Sequence, residues 1–395
     1  MKIRSIKNVD VDSKKVLIRV DFNVPLEDGT VADETRIKAT LPTLQHLIDN
    51  RAKIIIVTHL GRPEGKVVDE LRLDPVAKKL SELLGKEVKK LDDCVGSDVE
   101  AAIEELQPGH LVLLENVRFH AEETDNSQDF AQKLADLAEL MVIDSFGTAH
   151  RAHASTYGAA KLLPAYGGLL IEKEIEALSH VMHNVERPLT IIMGGAKIDT
   201  KIGIMKKFVS QADHFLVGGG LANTFLAAEG FDIGESLYQE DKKEVAQEIL
   251  LAAEALDDQF HIPSDVVVAD EAKEDAEKLD IPAEDVMGNM KILDIGVNTI
   301  KKYEEVIAKS KTIVWNGPMG LFEMDAFSRG TRHIAIAVSN AEAKTIIGGG
   351  DTIDAIKDFG IDLEKYDHVS TGGGAMLQFL EGEELPGIEV IREGN

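Results

Sequence analysis

Unbroken runs of Val, Ile and Leu, spaced along the whole chain, set the tightest limit on its fold. In the first half they are Val16–Val20, Lys53–Thr58, His110–Leu114 and Met141–Ile143. In the second half they are Leu189–Met193, His214–Val217, Val266–Val268, Lys291–Ile295, Thr312–Trp315 and Thr345–Ile347. A strand with one wet face alternates apolar and polar residues, whereas a run without alternation is buried on both faces. Between the runs lie amphipathic helical patterns, among them Glu34–Asp49, Asp74–Leu84, Asp98–Leu106 and Ser127–Leu140. Strands that alternate with helices and are covered on both faces predict parallel sheets. With 395 residues, the chain is long enough for two such bodies. The expected fold class is α/β: two doubly wound parallel-sheet domains joined by a helical hinge. The turn at residues 164–168 closes a domain of residues 1–168. A linker of residues 169–187 carries the helical pattern Leu169–His183, and Pro188 with a fresh strand opens a domain of residues 188–375.

Four glycine-rich turns follow apolar runs in the second half: GGAK at Gly194–Lys197, GGGLAN at Gly218–Asn223, GGGDT at Gly348–Thr352 and TGGGA at Thr371–Ala375. Backbone N–H groups at such turns, with helix N-termini behind them, hold phosphates. Neither G-x-x-x-x-G-K-[ST] nor G-x-G-x-x-G occurs, so this is not the common P-loop or dinucleotide loop. Lys197 and Lys201 are expected on one face of a helix's first turn, an arrangement that an anion between them would relieve. Asp351 is expected to begin a helix, either as its cap or as a carboxylate for Mg²⁺ on a nucleotide. Asn316 and Glu323 flank the turn Gly317–Gly320, and a carboxylate there can accept from ribose hydroxyls.

A formal net charge of -27 argues against nucleic acid and anionic membrane surfaces as partners. A small anion can then bind only where basic residues gather. Of twelve arginines, eight lie within the first 151 residues. Arg19, Arg36, Arg62, Arg118 and Arg151 stand at strand ends or turns, where a guanidinium reads carboxylate or phosphate bidentately. Their neighbours are VDFNVP (Val20–Pro25), HLGRP (His59–Pro63), ENVRFH (Glu115–His120) and FGTAHRAHAS (Phe146–Ser155). Asp21 and Asn23 alternate about Phe22 and so share a face, suited to a hydroxyl-bearing substrate or to local turn bonds before Pro25. His59 reads as a donor to phosphate; His120, His150 and His153 read as structural. The single cysteine, Cys94, excludes a disulfide framework and a cysteine-rich metal site. The first residues lack an apolar signal core and no run reaches membrane-spanning length, so a soluble cytoplasmic protein is expected.

These motifs, together with WNGPMGLFE (Trp315–Glu323), stand in the order and spacing of the phosphoglycerate kinases, which the sequence resembles over essentially its whole length. The resemblance implies two doubly wound domains joined by a helix, with a tail of residues 376–395 returning to the first. It implies reversible phosphoryl transfer between 1,3-bisphosphoglycerate and MgADP, giving 3-phosphoglycerate and MgATP, by a monomer that closes on its ligands. Asp21 and Asn23 would meet the hydroxyl and carboxyl end of 3-phosphoglycerate; His59, Arg62, Arg118 and Arg151 would hold its non-reacting phosphate; Arg36 would lie at the reacting carboxyl. Lys197 would reach the transferring phosphoryl group, and Gly372, Gly373 and Gly374 would meet it in transit. Lys201 would hold nucleotide phosphates beside Gly195, Asn316, Gly349, Gly350 and Thr352. Asp351 would carry Mg²⁺, Glu323 the ribose, and Gly219 and Gly296 would border the adenine. Thr200, Val297 and Ser145 depart from the family's usual residues. A doubly wound dehydrogenase would need the absent G-x-G-x-x-G. A two-lobed binding protein would leave the second set of phosphate turns without a purpose.

Overall fold

The structure, a computed structural model, describes residues 1–254 and 259–394. The chain divides into two units, Met1–Glu176 with Glu383–Asn395, and Ala177–Gly382. The division falls inside the helix Leu169–His183 and after the helix Gly374–Glu381.

In the first unit the aliphatic runs become a six-stranded sheet. Its strands are β1 (Lys15–Val20), β2 (Lys53–Val57), β3 (Val88–Lys90), β4 (Leu111–Leu113), β5 (Leu140–Asp144) and β6 (Ala165–Gly167). They lie in the order β3-β4-β2-β1-β5-β6 with every pairing parallel. Ile18 stands between Ile56 and Val142 in register. One face of the sheet packs on Ile37, Leu44 and Leu47 of the helix Thr35–Asp49. The chain leaves β1 toward β2 on one side and returns to β5 on the other. Such a reversal opens a crevice outside the carboxyl ends of the strands.

The second unit repeats the plan. Its strands are β7 (Leu189–Met193), β8 (His214–Val217), β9 (Phe260–His261), β10 (Asp265–Ala269), β11 (Leu279–Pro282), β12 (Lys291–Ile295), β13 (Thr312–Asn316), β14 (Lys344–Gly348) and β15 (His368–Val369). Six of them form a parallel sheet in the order β9-β8-β7-β13-β14-β15.

The runs Val266–Val268 and Lys291–Ile295 correct the expectation of parallel sheet throughout. They lie in a separate three-stranded antiparallel sheet, order β11-β10-β12. Val266 and Val268 pack with Leu226 and Ala227, while Val267 and Ala269 pack on Phe327. Burial on both faces makes the run continuous whichever way its neighbours point. The helix expected over Ser127–Leu140 is also shorter, Gln128–Ala135, because Leu140 already belongs to β5.

Residues 383–394 pack in the first unit. Ile3 and Arg392 form an antiparallel bridge, Arg4 N–H donates to Ile391 O at 2.7 Å, and Leu385, Ile388 and Ile391 are buried. Gly387 N–H donates to Ala149 O at 2.8 Å, two residues from Arg151. No helix among the described residues is long and apolar enough to cross a membrane.

Several helix N-termini are satisfied by carboxylates far away in sequence. Asp144 Oδ1 accepts from Leu170 N at 3.0 Å and Ile171 N at 3.3 Å. Asp265 accepts from Asn298 N at 2.8 Å and from Thr299 N at 2.7 Å. Asp294 accepts from Gly330 N at 2.7 Å, and Glu381 from Ile204 N at 3.1 Å. Each carboxylate meets donors that a helix start leaves unpaired, and also the positive end of the helix dipole.

Candidate functional site

In the first unit the expected substrate residues all follow carboxyl ends of neighbouring strands: Asp21 and Asn23 after β1, His59 and Arg62 after β2, Arg118 after β4 and Arg151 after β5. Arg36 joins them from the first turn of the helix Thr35–Asp49, donating from Nη1 to Asp21 Oδ2 at 3.2 Å and to Asn23 O at 3.1 Å. Asn23 Oδ1 accepts from Gly61 N at 2.8 Å, and Arg118 Nη1 donates to Gly61 O at 2.7 Å. These bonds tie three strand ends together.

Beneath them lies Arg19, fully buried in β1. Its Nε donates to Ser155 Oγ at 2.9 Å, and Ser155 in turn donates to the buried Glu123 at 2.7 Å. Arg19 Nη2 lies 3.1 Å from His59 Nδ1. A guanidinium has only donors, so Nδ1 must accept and the ring proton sits on Nε2. Burial, and after it the charges of Arg19, Arg118, Arg36 and Arg151, holds the His59 pKa well below its usual value. The ring is thus a neutral donor inside a cationic cluster. Burial, then Arg19 and Arg151, lowers the Arg118 pKa to about 10. Arg118 Nε is buried without a partner among the described residues. Buried positive groups that depress one another and leave a donor unpaired form a site for an anion. Arg62 is exposed at its edge.

Among the described residues of the second unit, four helices begin at glycine N-caps. Asp265 reaches the start of one of them, Val297–Ile307 at Gly296, whereas Gly219–Glu229 at Gly218, Gly350–Asp358 at Gly349 and Gly374–Glu381 at Gly373 have no capping side chain. The contrast with the carboxylate-capped helices marks these starts as anion-facing. Gly349 has φ +97°, and a Cβ there would lie 3.0 Å from Asn316 Nδ2. Gly317 has φ +99°, and a Cβ there would lie 2.3 Å from Gly194 O. At Gly317 a side chain would meet both an unfavourable backbone and a rigid carbonyl. A largely apolar cavity of about 180 Å³ lies between the turns, bordered by Gly195, Gly219, Leu237, Met319, Glu323 and Asp351. Lys201 is buried, with Nζ 3.3 Å from the position of a Gly195 Cβ. Burial lowers its pKa, against the raising charge of Asp351.

Comparison with known proteins fits this arrangement. The family model for phosphoglycerate kinase matches residues 6–383. The chain belongs to the phosphoglycerate kinase family. Its relatives include the phosphoglycerate kinase of Dictyoglomus turgidum, 50% identical over 99% of this chain and 98% of that protein. That of Moorella thermoacetica is 49% identical over 98% and 99%. Among solved structures, phosphoglycerate kinase from Coxiella burnetii aligns with TM-score 0.87 and 41% identity, covering 99% of each chain. The enzyme from Pyrococcus horikoshii aligns at 0.86 and 35%, covering 98% of each.

Within this family frame, several expected placements change. Lys197 and Lys201 do not share a helical face, because the helix starts only at Ile202. Lys197 is exposed on the preceding turn, while Lys201 occupies the buried N-cap position. Asp351 sits in the first turn of its helix, whose cap is Gly349. Gly296 does not border the cavity; it caps the helix Val297–Ile307, and Asp265 fills the space where its side chain would be. The preceding residues Ile292–Ile295 line the cavity instead. Asn316, Lys201, Gly350 and Thr352 do not line the cavity: Asn316, Lys201 and Thr352 are buried, Gly350 is exposed, and Thr352 Oγ1 accepts from Gly317 N at 2.7 Å. Sequence reasoning missed the apolar lining from Ala222, Leu237, Pro318, Met319 and Leu321, although Pro318–Leu321 lie inside a motif it had singled out. It also missed that Arg19 and Glu123 form the buried layer under His59. Of the family departures, Thr200 and Val297 are exposed, and Ser145 Oγ lies 2.6 Å from Thr148 Oγ1 in the interior.

Proposed function

We infer that this chain is a phosphotransferase with a carboxyl acceptor, moving a phosphoryl group between 1,3-bisphosphoglycerate and ADP to give 3-phosphoglycerate and ATP in glycolysis. The observation that carries the reading is the placement of two different anion-holding rims, one on each unit, in a chain matched to this family over residues 6–383. The arginine rim would hold the phosphoglycerate. His59 Nε2, Arg62, Arg118 and Arg151 would take its non-reacting phosphate, and Asp21 and Asn23 its hydroxyl and carboxyl end. Arg36, already at the Asp21–Asn23 turn, would face the reacting carboxyl.

The nucleotide would place its base in the apolar cavity and its ribose at Glu323. Its phosphates would run past Gly195 and Lys201 toward Gly349, Gly350 and Thr352. The donor set at Asp351 fits a magnesium ion: one exposed carboxylate at the cavity edge suffices when phosphate oxygens and waters complete the shell. Bound there, Mg²⁺ would neutralise phosphate charge as it develops during transfer. A carboxylate nucleophile is already ionised near neutral pH, so no general base is required. The chain's own work is alignment and charge stabilisation by Arg36, Lys197 and the helix start at Gly372–Gly374. We read the protein as a cytoplasmic monomer, with no nucleic-acid or membrane partner, whose units close to bring the reacting groups together and exclude water.

The test is steady-state turnover with 3-phosphoglycerate and ATP, followed by coupled oxidation of NADH. Turnover that needs substrate, ATP and Mg²⁺ together supports the reading. Binding of both ligands without turnover would make the chain a binding protein on this scaffold.

A further inference from the structure

Outside both rims, one group among the described residues brings metal-ligating atoms of three kinds together. Asp93, Cys94 and His120 each offer one ligand atom, and all three atoms lie within 4.8 Å of one another. Asp93 and Cys94 sit between β3 and the helix Ser97–Glu104, and His120 ends the turn Val117–Phe119. His120 Nε2 lies 2.7 Å from Asp93 Oδ1. The His120 ring stacks on Phe130 with centroids 4.8 Å apart, which fixes its plane. The Cys94 thiol, buried, donates to Glu115 O at 2.9 Å. Asp93 is exposed and, alone of the three, borders an open cavity of about 570 Å³ along Lys89–Ala102, so a hydrated ion can reach the site at its carboxylate.

We propose that Asp93, Cys94 and His120 form a binding site for a divalent cation of the zinc class, with water as the fourth ligand. Thiolate, imidazole and carboxylate together suit zinc and disfavour magnesium or calcium, which take oxygen shells. Tetrahedral zinc with bonds of about 2.0–2.3 Å sets its ligand atoms roughly 3.3–3.7 Å apart. Ion entry therefore needs the 2.7 Å His120–Asp93 hydrogen bond to open by less than about 1 Å and the widest ligand pair, within 4.8 Å, to close by about 1 Å, movements the exposed Asp93 side chain can share. On binding, the S–H bond of Cys94 breaks, a metal–sulfur bond forms, and the proton passes to solvent. The Nε2 proton of His120 moves to Nδ1, and no redox step is involved. Burial first, and then the negative charges of Asp93, Glu123 and Glu115, holds the Cys94 thiol protonated when no cation is bound.

The experiment titrates the full chain with zinc against a chromophoric chelator, and separately with cobalt as a spectroscopic stand-in. We expect one zinc ion per chain and a thiolate-to-cobalt charge-transfer band. Cys94→Ser should abolish the band, and Cys94→Ser and His120→Gln should each weaken zinc binding by roughly 100-fold or more, beyond what loss of an outer-shell partner costs. Both variants should keep their Mg²⁺-supported turnover in the absence of zinc, which establishes that they fold. A wild-type cobalt complex without the band, or zinc affinity unchanged in both variants, overturns the site. Should Cys94→Ser fail to fold, Asp93→Asn takes its place, and unchanged zinc affinity in it and in His120→Gln overturns the site equally.

Discussion

Arg36 has its charge half-used in the protein. One guanidinium nitrogen, Nη1, makes both of its bonds to the Asp21–Asn23 turn, so the other side of the fork is left to a ligand. Arg36→Ala should lower kcat by about 100-fold or more, as loss of one transition-state donor does, with nucleotide affinity unchanged in calorimetry. Unchanged turnover in a folded variant would remove its role. His59 carries a second prediction at this scale. Because burial and the surrounding arginines hold its pKa well below the usual value, the ring is neutral near physiological pH and gives by hydrogen bond alone. The pH profile of kcat/KM for 3-phosphoglycerate should therefore show no step from this ring between pH 6 and 8. His59→Gln should lower the profile without changing its shape; a step in the wild type that His59→Gln removes would contradict this. Apart from Arg36, which lies on the helix Thr35–Asp49, the residues of the arginine rim were legible because each stands in a short motif at the end of an apolar run. Arg19 stood in the same motif region, but its task depends on Ser155 and Glu123, far off in sequence, and no local pattern signals such a stack.

Among elements, strand positions were readable because two-sided burial leaves an unbroken apolar run. Pairing direction was not, since β10 looks the same in an antiparallel sheet sandwiched between Leu226 and Phe327. Helix starts divide along the same line. Glycine caps announce themselves, whereas the carboxylates of Asp144, Asp265 and Asp294 reach across the fold and carry no local signature. Asp144 yields a pH prediction. Burial raises its pKa to about 7, against the N–H groups of Ile171 and Leu170. In the unfolded chain the value is about 3.9, so between about pH 4 and 7 the folded state binds a proton that the unfolded state does not. The stability this group contributes is full below about pH 4 and is lost as pH rises through 7. Asp144→Asn cannot ionise. The stability of the wild type relative to this variant should fall by on the order of 1 kcal/mol per pH unit across that window and level off above it. Urea unfolding at pH 5 and pH 8 reads the difference; a pH-independent gap would contradict the shift.

For the whole molecule, the first unit is assembled from both ends of the sequence. Leu385, Ile388 and Ile391 are buried in it, and Gly387 hydrogen-bonds beside the segment that carries Arg151. A chain stopped at Gly382 loses three buried aliphatic side chains, each worth about 1.5–3 kcal/mol. It should unfold at lower urea and bind 3-phosphoglycerate more weakly, while the cavity of the second unit still takes nucleotide. Equal unfolding midpoints and equal substrate affinity would show the tail to be dispensable. The net charge of -27 adds a long-range consequence. Attraction of a phosphorylated substrate rests on the local arginine cluster alone and should weaken as added salt screens it.

The return of residues 383–394 also bears on synthesis. A ribosome emits β1 to β6 first, yet the segment that pairs with Ile3 and Arg4 beside their edge emerges only after the entire second unit. Domains emerging from the ribosome generally fold in order, N-terminal first. Here the second unit can complete its own sheet before the first has all of its parts. The half of the protein that is made first is the half that is finished last, and until then its unfinished surface is open to proteases and chaperones.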